Sequence, residues 1–343
     1  MAYTDIDKPE DYFNTVLYTG NGSTQSITGV GFQPDWVWIK DRTDGTSSHR
    51  LIDSVRGATK EIYSDLTNAE NTDTNGLTSF NSDGFSVGTT NGYNKNTDTF
   101  VSWNWLAGGT ASSNTDGSIT SSVSANTDAG FSIVSYTGNA TAGATVGHGL
   151  GSVPKMIITK GRSFADDWLC YNENLGNGKY IILNKTNASA SSTLPWNSTT
   201  PTSSVFTLGS SGTTNNNGGT IIAYCFAEKK GYSKMGSYVG NGSTDGTYIH
   251  LGFKPAWLMI KKTDTTNSWF IGDNKRDTDN QVEKELVANG STAESTSGTL
   301  DFLSNGFKLT STRSRVNTSG GTYIYMAFGQ SLVGSNNVPC TAF

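Results

Sequence analysis

Tyr18-Thr19-Gly20-Asn21-Gly22-Ser23-Thr24 decides the reading of the chain, because it comes back as Tyr238-Val239-Gly240-Asn241-Gly242-Ser243-Thr244. A looser copy is Tyr136-Thr137-Gly138-Asn139-Ala140-Thr141. Each copy leads to a proline and an apolar, β-branched or aromatic stretch that ends in lysine. The first is Gly31-Phe32-Gln33-Pro34-Asp35-Trp36-Val37-Trp38-Ile39-Lys40 and the third is Gly252-Phe253-Lys254-Pro255-Ala256-Trp257-Leu258-Met259-Ile260-Lys261. The middle one is Pro154-Lys155-Met156-Ile157-Ile158-Thr159-Lys160. A motif recurring in fixed order means an internal repeat, and a period of about 100 residues suits a β-sandwich unit better than a solenoid rung.

Further markers keep that order. Lys60-Glu61-Ile62-Tyr63 matches Lys284-Glu285-Leu286-Val287, and Lys179-Tyr180-Ile181-Ile182 takes their place in the middle. The middle run is short and β-branched, so the 54–70 region is read as a strand, although its apolar spacing alone would allow a helix. Asp83-Gly84 and Asn305-Gly306 sit between apolar residues and predict tight hairpins. Each copy closes on an alternating strand, in the first with Phe100, Ser102 and Asn104 on one face and Val101, Trp103 and Trp105 on the other.

The expected fold is all-β, with three tandem antiparallel β-sandwich-like repeat domains of about 100 residues. Their bounds are an N-terminal arm 1–12, repeat one 13–109, a Gly/Ser/Thr/Asn linker 110–129, repeat two 130–229, repeat three 232–332 and a C-terminal tail 333–343. Composition agrees. Ser, Thr, Asn and Gly make up nearly half of the 343 residues, while charged residues are only 15% and aromatics 11%. Many turns between β-branched strands give that balance. Aromatic content this high argues against disorder. A net charge of −5 offers no basic footprint for nucleic acid or an anionic membrane. The first residues show no secretory leader, and no apolar run is long enough to span a bilayer.

Few residues carry a chemical signature. His49, His148 and His250 stand in no metal-ligand spacing and are read as surface or turn histidines. Asp53 and Arg56, like Asp273 and Arg276, lie three residues apart and are read as ion pairs that hold a loop, in preference to acid/base catalysts. Asn71-Thr72-Asp73-Thr74-Asn75-Gly76 matches half of a calcium loop, with Ser82 where the closing glutamate belongs. No catalytic residue, metal or cofactor is assigned. Cys170 and Cys225 are expected to meet as thiols in the middle core. Trp36, Trp38, Trp103, Trp105 and Trp257 are read as packing residues. Trp196 and Tyr93 lie in loop-like, Asn- and Ser-flanked contexts and are the candidate receptor or glycan contacts. Tyr3, Ile6 and Tyr12 are the candidate assembly arm.

The motifs Y-T-G-N-G-S-T, G-F-x-P-D-W-V-W-I-K, L-x-D-S-V-R-G, S-D-G-F-S-V-G and W-N-W-x-A-G-G, with the opening Ala2-Tyr3-Thr4-Asp5-Ile6-Asp7-Lys8-Pro9, resemble a repeat domain of unknown function. That domain is common in structural proteins of tailed, often marine, bacteriophages. The first copy carries the resemblance best and the middle copy departs most. The resemblance implies a non-enzymatic virion protein, a tail fibre or appendage subunit contributing to host attachment and assembled in the host cytoplasm. Its partners would be other virion structural proteins, a host surface glycan or receptor, and further copies of itself, with no nucleic acid and no membrane insertion. A capsid-bound decoration or fibre protein and a lectin-like carbohydrate-binding module are the alternatives, and a depolymerase is a weaker fourth reading.

Overall fold

The computed structural model describes residues 4–331. It is nearly all strand, with antiparallel pairing throughout the sheets. Three of the sheets share one strand order. In the first sheet the order is Phe13–Thr19, Thr99–Trp105, Trp36–Asp41, Arg50–Asp53, Lys60–Tyr63 and Asn71–Thr72. The second runs Phe131–Thr137, Thr220–Phe226, Met156–Gly161, Leu169–Asn172, Lys179–Ile182 and Ala190–Ser191. The third runs Ser233–Val239, Thr322–Gly329, Pro255–Lys262, Phe270–Asp273, Val282–Val287 and Ser295–Leu303, and continues into Gly306–Leu309 and Tyr248–His250.

Side chains alternate across each sheet, so each sheet has two apolar faces to cover. One face of all three points into a single shared core. Trp36, Trp38, Trp103 and Trp105 meet Phe131, Met156, Tyr224 and Phe226, and both groups meet Trp257, Met259, Met326 and Phe328. Trp36 stacks on Tyr224 with ring centroids 4.3 Å apart, Phe13 stacks on Phe328 at 5.1 Å, and Trp105 meets Trp257 edge-on at 5.7 Å. Each aromatic pair adds about 0.5–1.5 kcal/mol beyond the apolar area it buries. The opposite faces have cores of their own. Val37, Ile39 and Phe100 pack on Ile27, Leu77 and Phe85 from a small sheet of Gln25–Thr28, Gly84–Val87 and Leu77–Asn81. Val134, Ile157 and Tyr171 pack on Val146, Trp196 and Phe206, and Leu258 and Ile260 pack on Phe302 and Phe307. Each large sheet is thus one layer of a sandwich whose other side is common property.

The opening motif owes its sequence to one local contact. Tyr18, Tyr136 and Tyr238 each donate their hydroxyl, at 2.8 Å, to a carbonyl of a one-turn helix: Tyr93, Thr214 and Val316 in Asn91–Asn94, Gly212–Asn215 and Ser314–Asn317. Asn94, Asn215 and Asn317 end those turns, and their side-chain oxygens accept the backbone N–H of Asn21, Asn139 and Asn241 at 2.8–2.9 Å. A Cβ on Gly20, Gly138 or Gly240 would stand 2.1, 2.4 or 2.5 Å from a backbone oxygen just past the turn, so only glycine allows that approach.

Strands are found at Lys60–Tyr63 and at both hairpins, as the spacing predicts. The 110–129 stretch differs from the expected linker. Ser112–Asn114 and Ser121–Asn126 form two more strands on the edge of the second sheet, where Ser121–Asn126 pairs with Phe131–Thr137. Serine-rich composition hid them, yet backbone hydrogen bonds need no apolar side chain, and Ser121, Val123 and Ser124 are buried and anchor the pair.

Candidate functional site

The strongest chemistry of the molecule lies along the three seams where the sheets meet, and it begins with the repeated lysines. Lys40, Lys160 and Lys261 are each fully buried. Each ammonium crosses to the neighbouring sheet: Lys40 Nζ donates to Ser291 O at 2.9 Å, Lys160 Nζ to Thr67 O at 3.0 Å and Lys261 Nζ to Thr186 O at 3.1 Å. The first sheet therefore grips the third, the third grips the second, and the second grips the first. Burial pushes all three ammonium groups down to about 8. Backbone pairs follow the same circuit, with Glu294 N–H to Arg42 O at 2.9 Å, Glu70 N–H to Arg162 O at 2.8 Å and Ser189 N–H to Thr263 O at 2.9 Å.

Two seams are ionic. Arg42 forms a two-pronged pair with Glu294, through Nε at 2.9 Å and Nη2 at 2.7 Å. Arg162 does the same to Glu70, at 2.9 and 3.2 Å. Behind each pair lies a buried aspartate. Asp53 accepts the Arg56 backbone N–H and Nε and, from the second sheet, the Tyr224 hydroxyl at 2.7 Å. Asp273 accepts the same groups of Arg276 and, from the first sheet, Trp103 Nε1 at 3.0 Å. Burial lowers the Arg276 guanidinium, but Asp273 and Glu294 outweigh it and raise it. Burial likewise raises Glu294, and the two arginines more than reverse that. Both aspartates are fully buried and bound to an arginine, so they act as clamps between sheets. The ion pairs expected from the three-residue spacing form, and each aspartate also clamps a neighbouring sheet.

The third seam is neutral at each of these positions. Asn172 stands where Asp53 and Asp273 stand, opposite Met156 as they are opposite Trp36 and Trp257. Leu175 replaces the arginine, Thr263 replaces Arg42 and Arg162, and Ser189 replaces the glutamate, its hydroxyl donating to Thr263 O at 3.0 Å. Met326 replaces the hydroxyl or indole donor, at the register position of Trp103 and Tyr224. Loss of donor, guanidinium and carboxylate together leaves no charge unpaired. It also leaves room. A groove of about 620 Å³ opens there, lined by Asn174, Leu175, Lys179, Ser189, Thr263 and Asp264 among others. A second hollow of about 510 Å³ adjoins it through Asn174, Ser237 and Tyr238 and reaches Glu228, Lys234, Tyr248 and His250.

The residues singled out by sequence fall elsewhere. Trp196 is 1% exposed and packs edge-on against Tyr171 at 6.0 Å. Tyr93 is 1% exposed, and its hydroxyl donates to Glu61 at 2.6 Å. Neither ring faces solvent, which corrects their reading as exposed loop contacts. Ile6 is buried and its N–H is bonded to Lys230 O, Tyr12 packs half-buried on the shared core, and Tyr3 lies outside the described residues. The described part of the arm thus folds onto its own chain. Two of the histidines are not surface groups. His49 and His148 are fully buried, whereas His250 is exposed. His49 accepts Trp38 Nε1–H at Nδ1, 2.8 Å away, which leaves its own proton on Nε2, and burial holds its basicity well below the usual range. It sits where the second and third sheets place Trp168 and Trp269, whose indoles donate to Tyr63 O and Ile182 O of the adjoining sheet. Cys170 and Cys225 do not meet, because one faces the shared core and the other the outer core. Burial pushes both thiols up. In the Asn71–Gly76 turn the Asp73 side chain accepts Asn75 N–H at 2.9 Å.

No curated protein and no solved structure matches the chain. The family described as a domain of unknown function, DUF7483, matches residues 8–331, so it spans all three seams and the groove. The chain belongs to the DUF7483 family.

Proposed function

We propose that the chain is a non-enzymatic structural protein of a bacteriophage particle, a tail fibre or appendage subunit on the virion surface that contributes to host attachment. In this reading its three like-ordered sheets are three copies of one unit of about 100 residues, joined as an internal trimer. The observation that carries the reading is the closed circuit of Lys40, Lys160 and Lys261, each bonded to the next sheet round. Such a circuit lets one chain build the rigid block that a particle exposed outside a cell needs. The resemblance of the repeated motifs to phage structural proteins supports the same reading. Asp53 and Asp273, the pair a depolymerase would need, are sealed and occupied by arginines.

Within this reading the contact surface moves from Trp196 and Tyr93 to the groove of the neutral seam, the one seam that departs from the other two. Exposed Tyr248 and Val239 flank it. Mass spectrometry of purified particles, with immunogold labelling to locate the chain, tests the proposal. Stoichiometric presence on the tail or appendage is expected, and absence from the particle overturns it.

A further inference from the structure

One end of the first sheet carries a group of side chains with no counterpart in the other two. Asp41 ends the strand Trp36–Asp41, Asp44 lies in the following loop, and Asp98 directly precedes the strand Thr99–Trp105. One carboxylate oxygen from each lies within 4.8 Å of the others. Asp41 is 1% exposed. Its Oδ1 accepts the N–H groups of Thr43 and Asp44, both at 2.9 Å, while its Oδ2 is buried without a hydrogen-bond partner. A buried carboxylate oxygen left unpaired costs several kcal/mol unless a cation meets it.

The same spot in the other sheets is filled by a side chain. Asp41, Gly161 and Lys262 hold one register position, opposite Phe100, Ile221 and Tyr323. Asp98, Gly219 and Gly321 share another, each just before the closing strand. In the second sheet a Cβ on Gly161 or Gly219 would meet the Phe164 ring at 2.6 or 2.7 Å, so a phenyl ring occupies the place. In the third sheet the Lys262 stem does so, with its Cε 3.2 Å from where a Gly321 Cβ would stand and its ammonium over the Tyr323 ring. The first sheet turns its buried ammonium, Lys40 Nζ, onto the backbone carbonyls of Asp41 and Asp44, at 2.7 and 3.4 Å. It offers three carboxylates and Lys95, a side chain 41% exposed whose Nζ stands 3.0 Å from both Asp44 and Asp98.

We infer that Asp41, Asp44 and Asp98 form a binding site for a calcium ion, which takes the place that Phe164 and Lys262 fill in the other sheets. Carboxylate oxygens are hard donors and select hard cations. Oxygens within 4.8 Å of one another fit around calcium, whose bonds are about 2.3–2.6 Å long and whose geometry is tolerant, whereas magnesium demands a near-ideal octahedron and gives up its waters reluctantly. Lys95 is the competitor: its ammonium bridges two of the three carboxylates and swings to solvent when the ion enters.

That competition gives the test a sign. Calcium chloride is titrated into the chelator-treated full chain by calorimetry, with magnesium chloride as the control, and thermal unfolding is followed alongside. The expected result is saturable one-to-one calcium binding, a raised unfolding temperature and much weaker magnesium binding. Lys95→Ala should tighten calcium binding several-fold while lowering stability in chelator, and Asp98→Asn should weaken binding at least about tenfold. If the Asp98 variant fails to fold, the Lys95→Ala result decides. No calcium binding up to about 10 mM, well above the range of weak extracellular sites, overturns the site. So does calcium binding that both variants leave unchanged, and magnesium binding of equal strength overturns the choice of ion.

Discussion

The Tyr224 hydroxyl donates to Asp53 across a sheet boundary, 2.7 Å away and out of reach of solvent. Trp103 and Asp273 repeat the relationship at the next seam, and at the last one Met326 and Asn172 have lost donor and charge together. The compensation predicts that an exchange at either kind of seam is costly. Asp53→Asn strands a buried guanidinium and should cost about 3–5 kcal/mol, whereas Asn172→Asp adds a buried carboxylate with neither arginine nor donor and should cost about as much. Denaturant unfolding measures both. If Asn172→Asp proved neutral, the seam would not be the apolar environment described.

A double-mutant cycle on Arg162 and Glu70 should return a coupling of about 1–2 kcal/mol, because the pair is two-pronged and mostly buried. The same cycle on Lys185 and Asp167, where the lysine is 45% exposed, should return less than about 1 kcal/mol. Equal couplings would mean that Arg162 and Glu70 do not join the sheets.

The buried lysines set an alkaline dependence. In the folded chain they lose their protons near 8, while unfolded lysine holds its proton to about 10.5. Between those values the unfolded state binds more protons, so this contribution makes stability rise with pH. Above about 10 the buried tyrosines, whose phenols burial raises, oppose it. Unfolding free energy should therefore climb between about pH 8 and 10, and the climb should shrink in Lys160→Met, a variant that also loses about 2–3 kcal/mol by stranding Thr67 O. A flat profile unchanged in the variant would contradict the burial of these charges.

Trp196→Ala and Tyr93→Ala should each cost about 3–5 kcal/mol, as large core truncations do. Neither should change glycan or cell binding measured on the fraction that remains folded. Specific loss of binding at full stability would restore these residues as contacts.

Strand positions were legible because their signal is local. Val101, Trp103 and Trp105 alternate with Phe100, Ser102 and Asn104, and that alternation puts one set in the shared core. The destination of the face was not legible, since an apolar face reads the same whether it meets its own second layer or two other sheets. Trp196 misled for the opposite reason: its polar neighbours are exposed, and the ring turns inward onto Tyr171, a contact between residues far apart in the chain. The lysine closing each apolar strand was visible as a pattern, but its role depends on a carbonyl in another sheet. The carboxylate group at Asp41 was hidden because Asp98 joins it only through the pairing of Trp36–Asp41 with Thr99–Trp105. The sequence signal for the groove at the neutral seam is Leu175, which follows Asn172 where an arginine follows Asp53 and Asp273.

Three sheets share one core and hold one another in a closed circuit. Calorimetric unfolding of the full chain measures whether they come apart together. A single transition is expected, with a calorimetric enthalpy of about 0.7 kcal/mol per residue that equals the van't Hoff enthalpy. Three resolved transitions, each with about a third of the heat, would contradict the shared core.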